Sequence, residues 1–156
     1  MNLSDVLVPE SIEVGVKASN KKQLLQRCSR RLASLIDREE REIYNLLQER
    51  EKLGATAMEG GVAIPHAHID NLESPMLCFT VLANSVDFGA LEECKVDLVA
   101  VLLAPCANDT QHLKVLSHIS RMLRDENVRR CLRGADSADA VYAILTGWDV
   151  STEVAA

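Results

Sequence analysis

A layered α/β domain with its sheet covered on both faces is the fold class predicted by three observations. Two continuous apolar runs, MLCFTVL at 76–82 and VDLVAVLLA at 96–104, have strand length and no polar alternation, as strands buried on both faces do. Segments with apolar residues at helical spacing lie before and after them. No internal repeat, linker or low-complexity tract interrupts the pattern, so one domain is expected over residues 1–156, with an ordered core of about 3–149.

Taken in order, Ile12, Val14 and Val16 alternate with polar or small residues and predict a half-buried strand. Asn20 is placed to cap a helix in KKQLLQRCSRRLASLID, which sets Leu25, Cys28, Leu32 and Leu35 or Ile36 on one face. A second helix in REEREIYNLLQERE turns Ile43, Leu46 and Leu47 inward and stops at Gly54. Next comes GGVAIPHAHID, residues 60–70. If Val62 to Ile64 is a strand, Pro65 cannot donate to its ladder and ends it, leaving His66 at the blunt end. Pro105 closes the second apolar run. The two runs join through about a dozen residues without helical pattern, so part of the sheet is expected to be antiparallel.

The last third reads as helical. Asn108, Asp109 and Thr110 offer caps before QHLKVLSHISRMLRD, where His112, Val115, Leu116, Ile119 and Leu123 share a face and His118 falls off it into solvent. NVRRCL runs to Gly134. A final helix begins near Asp136 and stops at Gly147.

Composition narrows the function classes. A net charge of −6 with 3% aromatic residues disfavours nucleic acid, which needs basic grooves and stacking platforms. No apolar run approaches the roughly 20 residues of a membrane helix. The start, MNLSDVLVPES, has no basic segment followed by an apolar block. Cytoplasmic residence is expected. Cys28, Cys78, Cys94, Cys106 and Cys131 are odd in number and irregularly spaced, and read as reduced packing residues.

Four side chains carry candidate chemistry. A neutral imidazole at His66 has one bare nitrogen, able to act as base, nucleophile or metal ligand; the bland alternative is a histidine that caps a strand end. His112 lies on the apolar stripe in the first turn of its helix. It either faces an anion held by free backbone N–H groups or is a satisfied core histidine. Arg50 extends the inward face of Leu46 and Leu47, while Glu49, Glu51 and Lys52 point elsewhere. Its guanidinium either meets an anion or snorkels to water. Thr56, past the helix end, is a hydroxyl donor or a plain turn residue. Together these groups suit a phosphoryl group attached to and removed from histidine, a chemistry that depends on positioning and electrostatics.

REKLGAT (50–56), GVAIPHA (61–67), DFGALEECKVDLVAVLLAP (87–105) and HLKVLSHIS (112–120) occur in that order. They resemble the type-2 EIIA domains of the bacterial phosphotransferase system, the fructose/mannitol and nitrogen-regulatory group. The resemblance implies a mixed, mainly five-stranded sheet layered between helices. It implies that His66 carries the phosphoryl group on Nε2, that His112 and Arg50 contact it, and that Thr56 adds a hydroxyl. It implies no cofactor. The donor would be an HPr-like carrier, docking on a shallow apolar rim near Val62 and Leu72. A free-standing domain is most similar to the nitrogen-regulatory branch, whose phosphorylation state controls partners such as potassium transport proteins or kinases. The alternative is a sugar-specific EIIA that passes phosphate to an EIIB partner.

The chain departs from the family pattern at Glu59 and Gly60, where glycine and asparagine are usual, and at His68. Glu59 is expected to point to solvent, because an inward carboxylate would oppose a phosphoryl dianion. His68 adds positive charge only when protonated. A different class remains: His66, His68 and His112 could form a three-histidine zinc site, although Arg50 would repel the metal.

Overall fold

The computed structural model describes residues 2–89, 92–106 and 109–148, apart from the side chain of Asp109. Its elements run β1 (Ile12–Val16), α1 (Lys21–Ile36), α2 (Glu40–Leu53), β2 (Ala57–Met58), β3 (Val62–Ala63), β4 (His66–Ile69), β5 (Met76–Asp87), β6 (Lys95–Pro105), α3 (Asp109–Arg124), α4 (Glu126–Gly134) and α5 (Ala138–Gly147), after two 3-10 turns at Leu3–Asp5 and Pro9–Ser11.

The two apolar runs are the central strands. β5 and β6 pair antiparallel, with β1 parallel to β5 on one side and β3, then β2, beyond β6 on the other. The expected mixed sheet is therefore present, and it has six strands where five were expected. The extra strand is a break in one line. β3 pairs β6 at Val62↔Leu98, β4 pairs β6 at His66↔Leu102, and the register does not change across the gap. Pro65 has no N–H to give, but its carbonyl accepts from Leu102 N at 2.9 Å. His66 thus opens a strand segment instead of closing one.

β6 shows why its sequence lacks alternation. Leu98, Ala100 and Leu102 enter the core under α3, α4 and α5, while Val99, Val101 and Leu103 enter the core under α1 and α2. Both faces are dry, so both must be apolar. β1 corrects the simple alternation read from its sequence. Ile12 and Val14 face the α3 side, but Val16 packs on the α1 side. Gly15, at φ 71, is an extra residue in the ladder to β5, between Val14↔Val81 and Val16↔Leu82. Such a bulge reverses the face of the residue after it.

Helix ends follow their capping residues. Asn20 accepts from Gln23 N at 2.9 Å, Asp125 from Asn127 N at 2.9 Å, and Ser137 from Ala140 N at 3.1 Å. Gly54 follows the last residue of α2. The capping expected of Asn108 and the Asp109 side chain lies outside the described residues. Of the cysteines, Cys28 and Cys78 are core residues, but Cys106 and Cys131 are exposed. No helix among the described residues is long and apolar enough to cross a membrane.

Candidate functional site

The break at Ile64–Pro65 positions the site. On β4, Ala67 and Ile69 pack toward α1 and α2, so His66 and His68 project to the opposite face, where α3 begins. His112 lies there, in the first turn of α3 and only 5% exposed. The ring centroids of His66 and His112 are 5.4 Å apart, and those of His68 and His112 are 4.4 Å apart. Two residues expected to share a site, one on β4 and one on α3, do meet. The structure adds His68 as a third imidazole, on the exposed side.

His66 is held in one tautomer. Its Nδ1 lies 2.9 Å from the Ile64 carbonyl oxygen. A carbonyl only accepts, so Nδ1 carries the proton and donates, which leaves Nε2 with its lone pair. Partial burial lowers the imidazole's pKa, and the neighbouring Arg50 guanidinium and His68 lower it further. The Ile64 bond and Glu51 act in the opposite direction without reversing the result. The ring is therefore kept neutral and nucleophilic at Nε2.

Arg50 is less inward than its spacing predicted. It is half-buried and donates to the Gly54 carbonyl at 3.0 Å, on the open side of the helix end. From there its charge reaches His66. The buried residue of this turn is Glu51, 8% exposed, which sequence reading sent outward. Glu51 accepts from Thr56 N at 3.0 Å, from the Thr56 hydroxyl, and from Lys21 Nζ at 3.2 Å. The register of α2 gave the signal: Ile43, Leu47 and Glu51 recur every fourth residue. The Thr56 hydroxyl proton is committed to Glu51, so a direct Thr56 contact to an anion would require that bond to break.

The sequence also misplaced the surface around the site. Val62 is fully buried and forms no rim, and Leu72 is half-buried against the core. The exposed large apolar side chains here are Leu53, 84% exposed at the end of α2, and Leu113, 63% exposed beside His112. His118 is half-buried, not solvated, with its ring edge-on to Trp148 at 5.2 Å between centroids. Glu59 is exposed, as expected. Among the described residues no group of three or more His, Cys, Asp or Glu side chains is arranged to hold a metal ion.

A family model described as "Phosphoenolpyruvate-dependent sugar phosphotransferase system, EIIA 2" matches residues 5–147. The chain belongs to that family. As an EIIA 2 chain it is 40% identical over 145 residues to a nitrogen regulatory protein of Bradyrhizobium diazoefficiens, covering 93% of this chain and 95% of the relative. It is 38% identical to a nitrogen regulatory protein of Pseudomonas aeruginosa, with coverage of 93% and 95%. The fold superimposes on the nitrogen regulatory protein IIA-Ntr of Neisseria meningitidis with a TM-score of 0.87 and 29% identity, over 92% of this chain and 99% of that one.

Proposed function

We propose that this EIIA 2 chain is a cytoplasmic phosphocarrier that accepts a phosphoryl group on His66 Nε2 from the phosphohistidine of an HPr-like protein and serves as a phosphorylation-state signal in nitrogen regulation. The observation that carries this reading is the 2.9 Å bond from His66 Nδ1 to the Ile64 carbonyl. It fixes the tautomer that leaves Nε2 bare at the start of β4.

In the transfer, the donor's N–P bond breaks as a bond from Nε2 to phosphorus forms, and the donor imidazole leaves with its electron pair. The positive charge gained by the His66 ring is steadied by the Nδ1–H bond to Ile64. Arg50 supplies positive charge, and His112 contacts the phosphoryl oxygens beside it. Glu51 keeps the turn after α2 in place through Thr56. Leu53 and Leu113, on the two helix ends that bring Arg50 and His112, form the apolar rim on which the donor docks.

The regulatory branch is favoured because nitrogen regulatory relatives align over more than nine-tenths of both chains. A fructose-specific EIIA of Haloferax volcanii aligns over 64% of each. Sugar-branch transfer to an EIIB partner is the second reading. It is favoured by the likeness to mannitol IIA of Escherichia coli, solved in complex with phosphorylated IIB, at TM-score 0.73 and 26% identity, over 89% of this chain and 96% of that one. Potassium transport proteins or kinases are the class of target expected for the regulatory branch.

The test is to incubate the protein with phosphoenolpyruvate, enzyme I and an HPr-type carrier and measure intact mass. An acid-labile gain of one phosphoryl group, absent in His66→Ala, is expected. No gain in the wild type, or a gain that survives in His66→Ala, overturns the reading. Adding an EIIB protein and following loss of the label separates the two branches.

A further inference from the structure

Away from the histidines, the outer surface of α1 and α2 carries three neighbouring clefts of about 310, 410 and 340 Å³. Lys21, Lys22 and Lys52 surround the first, and Arg30 and Arg41 join Lys22 at the second. Arg27 and Arg31 join Arg30 at the third. The first two clefts share Lys22 and Tyr44 and run together as one groove between α1 and α2, while the third shares Arg30 with the second and lies on the other flank of α1, toward Glu13 of β1.

The carboxylates lining the three clefts are Glu13, Glu40 and Glu51, and all are engaged; Lys52 is itself paired with Glu49 at 3.7 Å. Arg27 and Arg31 divide Glu13 at 2.7 and 3.2 Å, Arg30 pairs with Glu40 at 3.1 Å, and Lys21 pairs with Glu51 at 3.2 Å. Among the described residues neither Lys22 nor Arg41 is in ion-pair contact with a carboxylate. The chain as a whole has a net charge of −6. The groove is thus a positive island on an acidic protein, which is the surface that steers and orients a negative partner.

We propose that the α1–α2 groove docks an acidic helix of a partner protein. The positive charges are spread along α1, a helix of 16 residues and so about 24 Å long, instead of converging on one point as a small anion requires. Tyr44, half-buried, and Leu25, which lines the first cleft, give the groove apolar contacts between its charges, which fits a helix laid in a groove. Nucleic acid fits less well. Glu40 and Glu51 would face its phosphates, and Tyr44 is the one aromatic ring lining the clefts.

The groove also touches the histidine site by direct hydrogen bonds. Lys21 and Glu51 close one end of it, Glu51 holds Thr56, the Thr56 carbonyl accepts from Ile64 N at 3.2 Å, and the Ile64 carbonyl holds His66. The docking argument stands on charge and shape. Its meaning as the place where a regulated partner sits rests on the phosphocarrier reading.

The probe is a labelled synthetic peptide, about four helical turns long, with glutamates on one face and leucines on the other, set against a lysine-for-glutamate control. Saturable binding of the acidic peptide alone is expected, weakening about tenfold or more between roughly 50 and 200 mM salt. Amide shifts should fall on residues 21–31 and 41–52. The triple variant Lys22→Glu, Arg30→Glu, Arg41→Glu should lose about tenfold or more in affinity while keeping its melting temperature and its phosphoryl acceptance at His66. The proposal is overturned if the acidic peptide does not bind, if the triple variant binds it as well as wild type, or if the shifts cluster elsewhere. It is likewise overturned if pyrophosphate or a short DNA duplex binds the groove more tightly than the peptide. If the peptide docks as described and the wild type takes no phosphoryl group, docking stands and the phosphocarrier reading fails.

Discussion

Glu51 and Thr56 are joined twice beside the candidate site: one carboxylate takes both the backbone N–H and the hydroxyl of the same threonine. Glu51 is buried, and Lys21 is its counter-charge. Removing the carboxylate strands a buried N–H and a lysine. Glu51→Ala should cost about 1–3 kcal/mol, a fall in melting temperature of roughly 2–4 °C per kcal/mol for a domain of this size. Phosphoryl acceptance should slow in the same variant, because Thr56 O anchors Ile64, the residue that orients His66. A thermal melt and a transfer time course check this; an unchanged melt would mean Thr56 is held by other contacts.

Arg50 should matter to chemistry and not to folding. Its guanidinium has one described hydrogen bond, to the Gly54 carbonyl at the open end of α2. Arg50→Gln is expected to slow phosphoryl acceptance about 10- to 100-fold, in line with the loss of one electrostatic stabiliser, with a melting temperature near that of wild type. Transfer at the wild-type rate would remove Arg50 from the mechanism.

The sequence made the sheet's centre and the meeting of His66 with His112 readable because apolar runs and helical stripes record burial directly. It hid three things whose cause is three-dimensional. Gly15 reverses the face of Val16 by inserting a bulge, and no local pattern distinguishes that from a strand glycine. Pro65 signals a break, but only the constant register of β3 and β4 against β6 shows that the strand resumes. Glu51 continues the every-fourth-residue stripe of Ile43 and Leu47, but a carboxylate on a charged helix is ordinarily solvated, and that expectation outweighs the spacing. Its burial depends on Lys21 and Thr56, which lie 30 and 5 positions away.

The pH response of His66 has a definite sign. Its pKa is lowered in the fold, chiefly by burial, from the usual value of about 6.5. Between the folded and unfolded values the unfolded chain binds more protons. This imidazole's contribution to stability is therefore complete above the usual histidine range and is lost as pH falls through that window. Acceptance at His66 should likewise persist below pH 6.5 before declining. Histidine resonances followed through an NMR titration check the direction. In Arg50→Gln the His66 midpoint should move up, since a lowering charge is gone; a downward move would contradict the assigned cause.

The turn that launches β3 should resist a methyl group. Gly61 has φ 79, and a Cβ there would come 2.6 Å from Arg133 Nη2 and 3.0 Å from Asp97 Oδ1. Those atoms are pinned to each other by Arg133–Asp97 bonds of 2.8 and 2.9 Å, so they cannot step aside cheaply. Gly61→Ala is expected to destabilise the protein by about 1–3 kcal/mol, read as a shifted denaturant midpoint with unchanged slope.

Leu113 separates docking from chemistry. It is 63% exposed, next to the buried His112 on the first turn of α3, and an exposed leucine at that position contributes nothing to the core. If it forms the apolar rim with Leu53, Leu113→Glu should raise the KM for the phosphorylated HPr-type carrier about tenfold while leaving kcat and the melting temperature near wild type. A fall in kcat at unchanged KM would instead place Leu113 with the reacting groups. Unchanged values of both would put the donor on another face of the protein and remove Leu113 from the rim.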